Sequence, residues 1–490
     1  MQLALSQIPK EVLAITEKLE AAGYEAWVVG GCVRDLILKR KPNDWDITTN
    51  ATPVQIQGLF EHTYYTNTFG TVGIVTESEE ENLKVIEATP YRLEGKYSDA
   101  RRPDEVTFSQ KLEDDLKRRD FTINAMAFSP SQSKLVDLYD GIKDIKDTMI
   151  RAVGEPSARF AEDALRLVRA IRIAAELNFT IEPHTKEAMT KNAAQLAKIS
   201  KERIRDEFVR IINSSKPMKA LALAQSMGLL EFIAPEIEQG IGIEQNQAHS
   251  FDVFEHNLRS LQHAADKGWT FEVRLAALYH DIGKPKTRRW SEEKHDWTFY
   301  GHDVVGAKIA QKALENLRFS REIVEKTQNL VRWHMFFSDP DKITLSAVRR
   351  IIKNVGRENI EDLVQLRICD RIGTGRPKEQ PFRLRKYQSM IAQALRDPIS
   401  VGMLNIDGKR VMDVTHENPG PRIGWILHAL LEEVLDDPIK NTGDYLEEKA
   451  KKLSTISDEK LKALGVEAKE KKDEMEEESI KDIRKKYFVD

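Results

Sequence analysis

The spacing of apolar positions changes along this 490-residue chain. Over residues 8–22, Val12, Leu13, Ile15 and Leu19 recur near helical spacing and predict one amphipathic helix. From 24 to 150, short apolar runs alternate with turns. Ala26-Trp27-Val28-Val29 ahead of Gly30 reads as a buried strand entering a glycine turn, and Leu36-Ile37-Leu38 as a short helix. Residues 70–76, 84–89 and 121–128 are further strand candidates, and the polar stretch 91–108, with Gly, Pro and paired Arg, reads as a mobile loop. From about 155 the period becomes helical, with helices expected over 160–177, 183–196, 200–213 and 218–227.

Residues 240–247 read as a linker and 250–375 as a second helical block carrying most of the histidines. Helical periodicity returns over 380–440, where Gly420 to Gly424 has turn chemistry before an apolar helix at 426–435. The Lys/Glu-rich residues 443–490 read as exposed helix or a frayed tail. The pattern predicts an α+β protein: a mixed or antiparallel sheet first, then helices.

Composition adds limits. A chain this long exceeds one core, and two to four domains are expected. The net charge of −4 does not advertise a nucleic-acid binder, yet Lys39-Arg40-Lys41, Arg101-Arg102 and Lys117-Arg118-Arg119 are local basic clusters. Cys32 and Cys369 lie far apart, with neither disulfide nor zinc spacing, which points to a reducing compartment. The first nineteen residues are too broken by charge and Pro9 for a signal segment, and no run of 18 apolar residues occurs. The reading is cytoplasmic, with no membrane partner and the oligomeric state left open.

The chemistry begins at Gly30-Gly31-Cys32-Val33-Arg34 and continues to Asp44-Trp45-Asp46. On a strand, residues i and i+2 share a face, so Asp44 and Asp46 project together while Trp45 turns to the opposite layer. Such a pair can hold divalent metal for in-line phosphoryl displacement. Gly30 and Gly31 let backbone N–H groups approach a triphosphate, and Arg34 adds a donor fork. Asp-x-Asp alone is weak, since most instances are solvated turns.

Strand, glycine turn, helix and Asp-x-Asp strand together resemble the polymerase-beta-like superfamily. More closely, the chain resembles the class II tRNA nucleotidyltransferases, the CCA-adding enzymes and their bacterial poly(A) polymerase relatives. The resemblance covers roughly residues 20–440. It implies a nucleotidyltransferase head at 1–150, a helical neck with a base-recognition helix at 151–240, an HD domain at 250–375, a helical body at 376–442 and a charged extension at 443–490. It implies two Mg²⁺ on Asp44 and Asp46, CTP and ATP as substrates, and the tRNA acceptor arm as partner.

Arg118-Arg119-Asp120 reads alone as a surface ion-pair cluster; the resemblance carries ribose and phosphate contacts to Arg119 and Asp120, with Arg118 the weaker neighbour. Glu87 is a third-carboxylate candidate, but a solvent-facing strand glutamate is slightly favoured because no spacing ties it to the metals.

In Glu162 to Arg172, treated as one helix, Ala164, Leu167, Val168, Ile171 and Ala175 make a core stripe. Glu162, Arg166 and Arg169 share another face, with Asp163 beside it; an exposed helix with Glu/Arg pairs is the plain alternative. A carboxylate beside a guanidinium matches the donor-beside-acceptor edges of C and A and mismatches U and G. The resemblance assigns that reading to Asp163, Arg166 and Arg169; Arg172 has rotated away and suits a phosphate or structural role.

His256, His280-Asp281 and Asp370 resemble the HD phosphohydrolase superfamily, which implies a divalent metal of unknown identity; His302 and His334 are candidates for a second metal position. An accessory phosphohydrolase activity on a 2′,3′-cyclic phosphate or a damaged tRNA 3′ end follows by analogy. The motifs leave rival readings: a poly(A) polymerase of the same class, an HD phosphohydrolase with a nucleotide-binding head, or a non-catalytic RNA-binding protein.

Overall fold

The computed structural model describes residues 5–66, 70–94, 106–246, 250–335, 343–396 and 401–489. The chain forms two compact units: Met1–Arg332 with Gln365–Pro377, and Trp333–Val364 with Lys378–Asp490.

The first unit opens with helix α1 (Lys10–Ala21), whose Val12, Ile15 and Leu19 are buried as their spacing requires. Strands β1 (Ala26–Val29), β2 (Asp46–Thr49), β3 (Thr63–Tyr65), β4 (Val72–Val75) and β5 (Val85–Pro90) follow. Next come the short pair β6 (Arg92–Glu94) and β7 (Val106–Phe108), then β8 (Met126–Ser129) and β9 (Lys134–Asp137). Seven of these make one mixed sheet in the order β3-β4-β5-β2-β1-β8-β9. Strand β1 is buried at every position and lies inside the sheet between β2 and β8, as its continuous apolar run requires. It is antiparallel to β2 and β8, while β2 and β5 run parallel with Asp46 opposite Glu87.

Two details differ from the sequence-level expectation. Residues 121–128 are not one strand: Thr122–Asn124 form a 3₁₀ turn before β8. The ends of the expected 91–108 loop pair as β6 and β7, and its centre, 95–105, lies outside the described residues.

Helices α2 (Gly31–Ile37), α3 (Pro53–Leu59), α4 (Leu112–Lys117) and α5 (Gly141–Lys146) complete the head. After the sheet come α6 (Pro156–Glu162), α7 (Leu165–Leu177), α8 (Pro183–Asn192) and α9 (Lys201–Asn213). The expected stripe Ala164, Leu167, Val168, Ile171 and Ala175 is fully buried, the larger side chains contributing roughly 1.5–3 kcal/mol each. The expected single helix over 160–177 is instead two: Asp163 is extended (φ −145°, ψ 104°) and separates α6 from α7.

The histidine block uses helices Val253–Asp266, Phe271–Tyr279, His302–Asn316 and Arg321–Trp333, with Asp370 on Ile360–Gly373. In the second unit, Gly408–Thr415, Pro421–Asp436, Gly443–Ser454 and Asp458–Lys486 are helices. They enclose Val411, Ile426, Leu430, Leu446, Ala450 and Leu461. Residues 443–490 are therefore no frayed tail, because four of their apolar side chains (Leu446, Ala450, Leu453, Leu461) complete that core. Among the described residues no helix is long and apolar enough to cross a membrane.

Candidate active site and metal centre

Strand β1 ends at Gly30, whose φ of +87° lies in the region that favours glycine. A Cβ there would sit 2.9 Å from Arg119 Nη1 and 3.5 Å from Asp46 Oδ2, so the glycine keeps a shelf open between a cation and a carboxylate. The Gly30 N–H donates to Met126 O at 3.3 Å, which corrects its expected role as a phosphate donor: its amide is taken by the sheet. Gly31 begins α2, with Arg34 Nη2 3.6 Å from where its Cβ would be. Arg34 is buried and uses three of its five donors on Asp35 (2.9 and 3.0 Å) and Asn124 (2.8 Å).

Asp46 opens β2, Asp44 is exposed just before it, and Trp45 between them is buried on the other side, as alternation predicts. Parallel register sets Glu87 directly beside Asp46, and the Glu87 N–H donates to Trp45 O at 3.3 Å. Burial pushes the Asp46 carboxyl up to about 7; Asp44 and Glu87 add to the rise, while Arg119 and Arg169 oppose it. Glu87 is raised too, by burial and by Asp44. The preference for an isolated, solvent-facing Glu87 is thus corrected, since cross-strand register brings it into the acidic cluster.

Arg118 and Arg119 are both anchored by the fully buried Asp115 on α4. Asp115 takes Arg119 Nε and Nη2, which leaves Nη1 aimed at the Gly30 shelf. Asp120 is buried and accepts from Phe121 N (2.8 Å), Asn124 Nδ2 (3.1 Å), and Arg169 Nε (2.8 Å) and Nη2 (2.6 Å). Its acceptor sites are filled, so the expected ribose contact through Asp120 is corrected: it holds Arg169 instead. Burial alone would raise this carboxyl, but Arg169 and Asn124 hold it well below the usual carboxylate range.

Asp163 and Arg166 each hold other partners in this structure. Asp163 caps Leu165 N (3.0 Å) and pairs with Arg203 of α9 at 2.7 Å. Arg166 is buried against Glu162 (2.6 Å) and the carbonyls of Arg159 and Arg118 (both 2.9 Å). The helix is interrupted at Asp163, whose carboxylate turns toward α9. Asp163 keeps an open acceptor site and Arg166 two unused donors. Arg172 is buried between Glu207 and Glu176, partners that suit the structural one of its two expected roles.

In the histidine block, donor atoms of His256, His280, Asp281 and Asp370 all lie within 4.8 Å of one another, and all four residues are buried. His256 Nε2 is 2.9 Å from His280 Nε2 and 3.0 Å from Asp281 Oδ2, while Asp370 Oδ1 is 3.5 Å from His256 Nε2. His280 Nδ1 is 2.8 Å from Ala277 O; a carbonyl only accepts, so Nδ1 carries a proton and Nε2 faces the cluster. Asp281 and Asp370 outweigh burial and push His280 up to about 10, while burial lowers His256. With the imidazoles neutral, two ring nitrogens and two carboxylates fit a divalent ion. His302 Nε2 lies 3.3 Å from Asp281 Oδ1, and Lys284 Nζ 2.6 Å from Asp281 Oδ2; His334 belongs to the second unit.

Family models match three stretches of the chain: the poly A polymerase head domain at residues 26–151, a probable RNA and SrmB-binding site of polymerase A at 178–241, and an HD domain at 253–374. A CCA-adding enzyme of Lactiplantibacillus plantarum is 32% identical over 451 residues, covering 91% of this chain and 97% of that protein. The chain belongs to the CCA-adding enzyme family. A Leuconostoc mesenteroides CCA-adding enzyme matches equally at 32% over 459 residues, covering 92% and 98%. The Bacillus stearothermophilus CCA-adding enzyme, solved in complex with CTP, aligns with a TM-score of 0.59 at 26% identity, over 90% of this chain and 96% of that one.

Within that family frame, sequence reasoning named Glu87 but disfavoured it, and missed two anchors, Asp115 and Arg203. Asp115 had a local signal, because it precedes Arg118 and Arg119 by three and four residues. Arg203 lies 40 residues beyond Asp163 and had none.

Proposed function

We propose that this chain adds C, C and A to the 3′ end of tRNA from CTP and ATP, without a nucleic-acid template and with release of pyrophosphate. The observation that supports it most is the in-register pairing of Asp46 with Glu87 beside the Gly30–Arg119 shelf. Asp44 and Asp46, with Glu87 adjacent, are the residues that would hold two Mg²⁺. Such ions supply charge stabilisation at the attacking and leaving oxygens of an in-line displacement. Arg119 Nη1 and the unused donors of Arg34 meet the triphosphate, and Gly30 gives it room.

The neck supplies the base choice. Asp163 offers its open acceptor to the exocyclic amine of C or A, and Arg166 donates to the neighbouring ring acceptor. U and G present the opposite order and leave buried groups unmatched. Asp120 and Arg203 act as positioning residues, one for Arg169 and one for Asp163. We divide the chain accordingly into head (1–150), neck (151–240), HD domain (250–375), body (376–442) and charged extension (443–490). The helical parts grip the acceptor arm through shape and backbone charge, as A-form RNA requires.

In the HD domain, His256, His280, Asp281 and Asp370 would hold a divalent ion and act on a phosphoester such as a 2′,3′-cyclic phosphate. The test of the main activity is a tRNA transcript lacking its CCA end. With CTP alone it gains two C residues, and with CTP and ATP it reaches full length, pyrophosphate appearing in step. Incorporation of A alone, with little C, would establish the poly(A) polymerase reading instead.

A further inference from the structure

A β-hairpin stands directly on the HD cluster. Strands Arg289–Ser291 and Asp296–Thr298 pair antiparallel, with Trp290 opposite Trp297. The hairpin leaves from the short helix Lys284–Thr287 and returns at Gly301, just before helix His302–Asn316. Each foot therefore carries a residue that touches Asp281: Lys284 at 2.6 Å and His302 at 3.3 Å. The feet are clamped together, for a Cβ on Gly283 would lie 2.2 Å from the His302 carbonyl oxygen.

Its surface is aromatic and basic near the feet. Trp290 is 48% exposed and Tyr300 75%. One exposed ring needs no explanation, but these come with cations. The Arg288 guanidinium lies 3.7 Å from the Trp297 ring centroid, and Trp290 meets Trp297 edge-on at 5.3 Å. Arg288, also 3.6 Å from Glu244, and Arg289 sit at the foot; Lys294, in the turn with Glu292 and Glu293, donates to Tyr300 Oη at 2.6 Å. Cations thus accompany both Trp297 and Tyr300, which favours a polyanion on this aromatic face. Tyr300 is two residues from His302, a span of at most about 7 Å. Exposed aromatic faces beside arginines are the chemistry that holds single-stranded RNA, through stacking and phosphate contact.

We propose that this hairpin is a stacking platform for the terminal base of a single-stranded RNA 3′ end, delivering the adjoining phosphate to the HD cluster. The delivery step rests on the reading of that cluster as a phosphoester site; the stacking does not. The test uses the full chain and a short oligoribonucleotide with 4-thiouridine at its 3′ terminus and a 2′,3′-cyclic phosphate. Photocrosslinking and mass spectrometry should place adducts on Trp290 or Tyr300, in wild type and in His280→Ala alike. Adducts confined to other parts of the chain would overturn the platform. Trp290→Ala and Tyr300→Ala should each raise KM for hydrolysis of this oligonucleotide about tenfold, with kcat and hydrolysis of base-free ribose 2′,3′-cyclic phosphate unchanged. Equal loss on the base-free substrate would show a structural hairpin and sink the proposal. If wild type hydrolyses neither substrate, the phosphoester reading falls, and the crosslink alone still decides the platform.

Discussion

The two donor clusters of the first unit differ in how charge is balanced. In the head, Asp44, Asp46 and Glu87 are acids brought together with arginines only at the edge, and Asp46 and Glu87 are pushed toward protonation. In the HD cluster, burial would also raise Asp281 and Asp370, yet Lys284, Arg367 and His280 hold both well below the carboxylate range. The HD donors already converge within 4.8 Å; among the described residues the head acids form no group so tight. The difference teaches what each site lacks. A metal caged by protein needs its ligands gathered in advance, whereas ions shared with a triphosphate need only a few carboxylates and take their remaining ligands from substrate and water.

That contrast can be broken most severely at Asp46. Asp46→Ala should lower nucleotide incorporation on the order of 10³-fold while metal content of the HD domain, read by elemental analysis, stays unchanged. Asp370→Ala is the mirror experiment. It should strip the HD metal and leave C and A incorporation within about twofold, because the head supplies its own ligands. Coupled loss of both activities in either variant would mean that the clusters are not independent.

Glu87→Gln sharpens the comparison on the head side. It keeps the shape but removes a like charge beside Asp46, so the Asp46 carboxyl should titrate lower. Incorporation should drop about tenfold if Glu87 supports a metal, with a higher Mg²⁺ requirement as the diagnostic. An unchanged Mg²⁺ dependence would return Glu87 to a bystander role.

The smallest effect concerns Asp120. Its depressed carboxyl contributes stability that is present above the unfolded value of about 4 and is lost as pH falls below it. Asp120→Asn should cost about 1–3 kcal/mol at pH 7, the exposure of Arg169 keeping it below a fully buried pair. The gap from wild type in denaturant midpoint should narrow as pH drops below about 4. A constant gap from pH 7 to pH 3 would remove the ion pair from the account.

Much of the site was legible wherever the signal was local. The strand, the Gly30 turn and the alternation Asp44-Trp45-Asp46 follow from two-residue periodicity, and the stripe from Leu167 to Ala175 from the helical one. The helix wheel failed at Asp163 because it assumed continuity; the helix is interrupted there, and the carboxylate turns toward Arg203. At 443–490, where exposed helix or a frayed tail was expected, the chain is helix with a mostly exposed surface, because a few apolar residues at helical spacing pack on a partner helix.

The sequence by itself determined the inventory: which residues carry carboxylate, imidazole and guanidinium groups, in what order, and on which face of each local element. Only the tertiary structure decided their partners. Parallel register brought Glu87, 41 residues further on, beside Asp46, and packing aimed Arg169 at Asp120 and gathered His256, His280, Asp281 and Asp370. The physical reason is that periodicity fixes direction within an element, while the contacts that set charge and hydrogen bonding are made between elements distant in the chain.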